Sequence, residues 1–113
     1  MTPDEYQRLS ARTLLNHPEV PLNNQETMIL WCAMGLAGET GETIDDIKKA
    51  VFHRHGLDKK KLIKELGDIL WYVAGLCTTL QFSLDEVMEV NVEKLKKRYP
   101  NGFNSEDSKF RKE

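Results

Sequence analysis

Long apolar runs are missing from this chain, and so are most signatures that announce a known chemistry. No stretch approaches the ~18 consecutive apolar residues of a membrane helix, and the N-terminus has no basic-then-apolar leader pattern. A cytoplasmic chain with no membrane partner is the expectation. Cysteine is scarce: Cys32 and Cys77 each lie in an apolar stretch without metal-ligand spacing, so they read as reduced core residues. None of His17, His53 and His55 has a glutamate three residues before it, which discounts a di-iron carboxylate bundle. The same shortage of histidine ligands counts against zinc. There is no glycine-rich phosphate loop, no GxSxG elbow and no Cys–His arrangement for nucleophilic attack. A net charge of −2 gives no general attraction to nucleic acid.

What remains is a single domain, 1–113, large enough for one hydrophobic core and dominated by helix signals. Thr2-Pro3-Asp4-Glu5 has the form of a capping box with proline at the first helical position. It opens a short helix to about Asn16, which His17-Pro18-Glu19-Val20-Pro21 breaks. A second helix starts near Asn23 or Asn24 and runs to about His53, with Ile29, Cys32, Ala33, Leu36, Ile44, Ile47 and Val51 at helical spacing. Gly35, Gly38 and Gly41 lie inside it. They leave a strip of bare backbone for a packed helix or a ligand. Gly56 and Asp58 suit a helix stop and a new cap. A third helix then covers Lys59 to Leu80, with Leu62, Leu66, Ile69, Val73, Leu76, Cys77 and Leu80 inward. Ser83-Leu84-Asp85-Glu86 is a second capping box, and the fourth helix ends before Pro100. The core is expected over about 23–100, with 101–113 a loose polar tail that Phe103 and Phe110 could pin. The expected fold is all-α: a four-helix protomer with antiparallel central helices.

Two pairs of acids then stand out, Glu39 and Glu42 in GETGE and Glu65 and Asp68 in ELGD. Each pair is spaced i, i+3 and shares one face of its helix, where like charges repel. Both pairs fall at the margin of an apolar stripe, Glu39 and Glu42 with Asp46 beside them, Glu65 and Asp68 with Tyr72. If the two helices pack antiparallel, the margins meet across a groove. Counted from the turn near Gly56, Glu42 lies 14 residues back and Asp68 12 forward, Glu39 17 back and Glu65 9 forward. At a 1.5 Å rise these mismatches are roughly 3–12 Å along the axis. Crowded carboxylates favour a hard divalent cation, Mg²⁺ or else Mn²⁺. On the fourth helix, Asn91 interrupts the apolar face, and Lys94 and Arg98 follow. With Lys48 they supply cations for phosphate oxygens around the acids. Trp31 and Trp71 point away from their helices' main stripes, and burial at a subunit interface accounts for them better than base stacking.

At these residues the sequence resembles the MazG-like nucleotide pyrophosphohydrolases of the all-α NTP pyrophosphatase superfamily. The matching text is GLAGETGETIDDIKK at 35–49, KLIKELGDILWYVAGL at 61–76 and NVEKLKKRYPNGF at 91–103. The paired ExxE…ExxD pattern, with 22 residues between its halves, carries the resemblance. One departure is Gly38, where some members carry an extra acid. The resemblance implies hydrolysis of a (deoxy)nucleoside triphosphate to the monophosphate and pyrophosphate. Glu39, Glu42, Glu65 and Asp68 would hold Mg²⁺, with Glu39 or Glu42 taking a proton from water. Lys48, Asn91, Lys94 and Arg98 would contact phosphate or sugar. It also implies a homodimer or homotetramer. The alternatives are a phosphoribosyl-ATP pyrophosphohydrolase-like enzyme on the same fold and a non-catalytic helical interaction module.

Overall fold

The computed structural model describes residues 1–15 and 25–111. Among these the chain forms five helices: α1 (Pro3–Leu15), α2 (Gln25–Phe52), α3 (Lys59–Leu80), α4 (Leu84–Arg98) and α5 (Ser105–Lys109). The fifth corrects the four-helix expectation. Asn104 caps it by accepting from the Asp107 backbone N–H at 2.7 Å, so the tail begins with an ordinary Asx-capped turn. Phe103 meets the Tyr99 ring at 5.2 Å, but Phe103 and Phe110 both stay exposed and neither pins the tail inward. The proposed helix ends at Asn16, Asn23 and Asn24, and the proline break between them, lie outside the described residues.

The other boundaries follow their caps. Thr2 Oγ1 accepts from the Glu5 backbone N–H at 3.1 Å, Asp58 from that of Lys61 at 3.2 Å, and Ser83 from that of Glu86 at 3.0 Å. Each satisfies one of the donors that a helix start leaves open. Gly56 turns the hairpin with a φ of 79°, a conformation that costs glycine nothing.

Helices α2 and α3 are antiparallel. Three facing pairs, Cys32 with Gly75, Gly35 with Tyr72, and Asp46 with Lys61, define one register along their seam. The apolar half is close-packed. A Cβ on Gly35 would fall inside the Tyr72 ring, and one on Gly75 would sit 3.0 Å from the Cys32 sulfur. Cys32 and Cys77 are buried free thiols, as expected.

Helix α1 lies across this half and ties the corner. The Gln7 amide donates to Thr78 Oγ1 at 3.3 Å and to the Phe82 carbonyl at 3.0 Å, while its oxygen accepts from the Leu84 N–H at 2.7 Å. Trp71 Nε1 donates to Thr13 Oγ1 at 2.9 Å and to the Ser10 carbonyl at 3.2 Å. Trp71 packs edge to face on Trp31 and on Tyr72, and Trp31 meets Tyr72 at a tilt, around Leu14, Met28 and Cys32, with centroids 5.0–5.8 Å apart. The tryptophans therefore pack, partly buried, against the protomer's own core.

The inward faces also differ from expectation. On α2 the buried residues are Met28, Cys32 and Thr43, whereas Ala33, Ile44, Ile47 and Val51 are exposed. On α3, Ala74, Gly75 and Cys77 are buried, while Leu66 and Leu80 are exposed. The helix buries its small and aromatic strip against its neighbour and leaves an aliphatic strip uncovered. Leu30, Met34, Ile44 and Val51 lie on that uncovered face of α2, spaced four, ten and seven residues apart and so on one side of the helix.

Candidate metal and nucleotide site

The register that packs Cys32 on Gly75 and Gly35 on Tyr72 continues toward the hairpin. It brings Glu39 level with Asp68, and Glu42 level with Glu65. Counting from Gly56 paired them the other way and mismatched them. The turn does not set the register; the fit of an aromatic ring onto bare glycine backbone does. The four acids thus extend the same seam in which the core residues meet, rather than lying on its shoulder. Glu39 and Glu65 are half-buried, and Glu42 and Asp68 are exposed.

Their electrostatics follow from this placement. Partial burial, with the charges of Glu42 and Asp68, raises the Glu39 carboxyl above its usual range. Glu65 is raised chiefly by a carboxyl–carboxyl hydrogen bond with Asp46, then by burial. The same bond, aided by Lys61, lowers Asp46. Crowding of the two carboxyls beside a single ammonium makes Glu65 hold its proton more tightly and Asp46 less. Burial first, and then the charges of Glu39, Cys32, Asp68 and Glu42, raises the Tyr72 hydroxyl. The phenol thus marks the boundary between the packed half of the seam and the acidic half.

Among the described residues, no three Asp, Glu, His or Cys side chains converge on one point as a finished cage. The donor set nevertheless suits a hard divalent cation, being all carboxylate oxygen. One atom argues for it directly. Glu65 Oε2 is buried without a hydrogen-bond partner, a costly state for a carboxylate oxygen, and a bound cation would relieve it.

The basic set is divided. Lys48 pairs with Asp45 at 3.1 Å, as Lys49 does at 2.9 Å, so Lys48 is engaged on the outer face of α2. Asn91 is exposed, not buried among α4 side chains. It lines an open groove of about 410 Å³ with Lys94, Phe82, Val87 and Val90. This mostly apolar trough carries one amide, one ammonium and the Glu86 carboxylate. Arg98 is half-buried, with its guanidinium 6.0 Å from the Tyr99 ring. The groove shares no lining residue with the acidic seam. Two participants were not singled out as site residues from the sequence. Asp46 continues the acids one turn beyond Glu42. Lys61 bridges Asp46 at 3.2 Å and Glu65 at 3.9 Å; its position one turn before Glu65 was the available signal.

An all-α chain with an acidic helix hairpin is thus the class that fold and site define. The chain belongs to the MazG family: the MazG nucleotide pyrophosphohydrolase domain matches residues 25–103, from the first turn of α2 to the segment after α4. It is also 37% identical over 76 residues to the Gene 37 protein of Mycobacterium phage L5, covering 64% of this chain and 67% of the phage protein. No solved structure matches the chain. Among the described residues, no helix is long and apolar enough to cross a membrane.

Proposed function

We propose that this protein hydrolyses a (deoxy)nucleoside triphosphate to the nucleoside monophosphate and pyrophosphate, with Mg²⁺ or Mn²⁺ as cofactor, and so clears nucleotides from the pool. The observation that carries this reading is the level pairing of Glu39 with Asp68 and Glu42 with Glu65, in a chain of the MazG family. When bound, the divalent cation supplies neutralisation of the phosphate charge and a more acidic water.

The chain's own residues divide the remaining work. Glu65 and Asp68 from α3, with Glu39 and Glu42 from α2, would hold the cation, on two helices that the apolar half of the seam fastens together. Glu39 or Glu42 takes the proton from the water that attacks the α-phosphorus, and pyrophosphate leaves. Lys94 and Arg98 on α4 meet charge on the departing pyrophosphate. Asn91 hydrogen-bonds the sugar or phosphate from the groove wall, and Lys48 joins them only by leaving Asp45. We further assign a homo-oligomer, dimer or tetramer, closed through the uncovered aliphatic strip of α2. Such a strip resembles a domain core cut in half.

The test is pyrophosphate release from a panel of nucleoside triphosphates with and without Mg²⁺. Glu42→Gln and Asp68→Asn are each expected to lose at least about a hundredfold in kcat with unchanged far-UV circular dichroism. Both side chains are exposed, so their loss need not unfold the chain. Undiminished turnover in either variant refutes the ligand set. Absence of turnover in the native protein across the panel refutes the reaction.

A further inference from the structure

Lys61 occupies a position that local energetics disfavours. It stands in the first turn of α3, which contains no acid, with Lys59 and Lys60 before it. The N-terminal end of a helix carries partial positive charge and favours anions. Asp58 at the N-cap offsets part of this, and the ammonium is paired with Asp46 across the seam and with Glu65 one turn further along α3. Lys61 Nζ is 3.2 Å from Asp46 Oδ2 and 3.9 Å from Glu65 Oε1. Among the described residues, it is the only cation whose ion pairs include one of the four seam acids; Lys48 and Lys49 are both held by Asp45. It also stands on the rim of a cavity of about 150 Å³ at the hairpin end, beside Asp46, His55 and Glu65.

The two partners differ in freedom. The Lys61 side chain is 59% exposed and that of Glu65 only 13%. The lysine can swing into solvent without disturbing the fold, whereas Glu65 is fixed with its orphaned oxygen facing inward. From this asymmetry we propose that Lys61 is a tethered counter-ion: it neutralises Asp46 and Glu65 in the metal-free chain and competes with the divalent cation for Glu65. The inference rests on the metal site proposed above and makes Lys61 a residue that sets cation affinity. A divalent ion must displace it. The lysine thereby keeps an acidic seam from repelling itself apart when no ion is present, and it weakens capture of ions at low concentration. An exposed ammonium–carboxylate pair is worth at most about a fivefold factor in an equilibrium, which bounds the effect.

The test titrates the purified protein with Mn²⁺ alone, following free ion by electron paramagnetic resonance, without nucleotide or turnover. Four proteins are compared at about 0.15 M salt: the native chain, Lys61→Met, Lys61→Arg and Lys60→Met. Lys61→Met is expected to bind Mn²⁺ about two- to fivefold more tightly. Lys60→Met removes a neighbouring charge and should change affinity by less than about 1.5-fold, because salt screens distant exposed charges. Lys61→Arg keeps the cation and should stay near the native value. Equal tightening in the two methionine variants, no tightening in either, or tightening in Lys61→Arg each overturns the counter-ion role while leaving the metal site standing. A native chain that takes up no Mn²⁺ instead refutes the site itself, and the inference with it.

Discussion

A single methyl group at Gly35 offers the sharpest test of how this hairpin is held. Glycine inside a helix costs about 1 kcal/mol relative to alanine, so Gly→Ala is stabilising wherever the added carbon finds space. At Gly38 it does, since nothing lies within 4 Å of the position. At Gly35 the new carbon would enter the Tyr72 ring. That ring cannot retreat: Trp31 lies on one side at 5.6 Å and Trp71 on another at 5.0 Å. Overpacking of a confined core site costs about 1–3 kcal/mol, and this one belongs at the upper end. Subtracting the propensity gain leaves Gly35→Ala destabilised by about 2 kcal/mol, with Gly38→Ala stabilised by about 1 kcal/mol. Urea unfolding followed at 222 nm, at one fixed protein concentration, measures the gap of about 3 kcal/mol between them. The slopes should match that of the native chain, because neither change alters the surface exposed on unfolding. A Gly35→Ala variant as stable as Gly38→Ala would mean that the ring does not rest on α2. The register that aligns the four acids would then lose its physical cause.

Three further outcomes are expected. In metal-free protein, ¹³C-detected titration of the Glu65 carboxyl should give a midpoint above the ordinary glutamate range; because folding raises this midpoint, stability from this group is greatest at low pH and declines as pH rises through the folded midpoint. An ordinary or depressed midpoint would contradict the crowding of Glu65 by Asp46 and by burial. Saturating Mg²⁺ should raise the melting temperature of the native chain, since a ligand at about 100 times its Kd stabilises by about 2.7 kcal/mol; no shift should survive in Glu65→Gln, and a full shift there would remove Glu65 from the ligand set. Ile44→Glu, on the uncovered strip of α2, should give a folded monomer by light scattering, and a native chain already monomeric at high concentration would refute the oligomer.

Helix limits were legible because they rest on local chemistry. Thr2, Asp58 and Ser83 cap their helices through atoms within three residues, and a sequence displays such contacts openly. The acid pairs were legible for the same reason, since i, i+3 spacing fixes a shared face. The choice between faces was not. Helix α2 carries two strips able to pack, one aliphatic through Leu30, Met34, Ile44 and Val51, the other small through Met28, Cys32, Gly35 and Thr43. Hydrophobicity favours the first, but the second is buried, because an aromatic cluster on α3 needs a flat, glycine-floored neighbour. Trp31 and Trp71, off the aliphatic stripe, lie on the strip that packs against the core. The turn of α5 was missed because five polar residues carry no periodicity, although Asn104 three before Asp107 offered a capping signal.

The division of the seam accounts for how one hairpin can be both rigid and chemically poised. Its apolar half is fastened three ways: by the Tyr72 ring on Gly35, by the aromatic cluster, and by the Gln7 and Trp71 hydrogen bonds from α1. Its acidic half, toward the hairpin end, has no comparable fastening among the described residues. There the helices are joined by one exposed ion pair, Lys61 to Asp46. Exposed pairs contribute little to stability, so the acidic half sits at the weakly held end of a strongly held unit. Strained, weakly satisfied groups persist only where the surrounding structure over-determines them, and here the fastened half of the same two helices supplies that constraint.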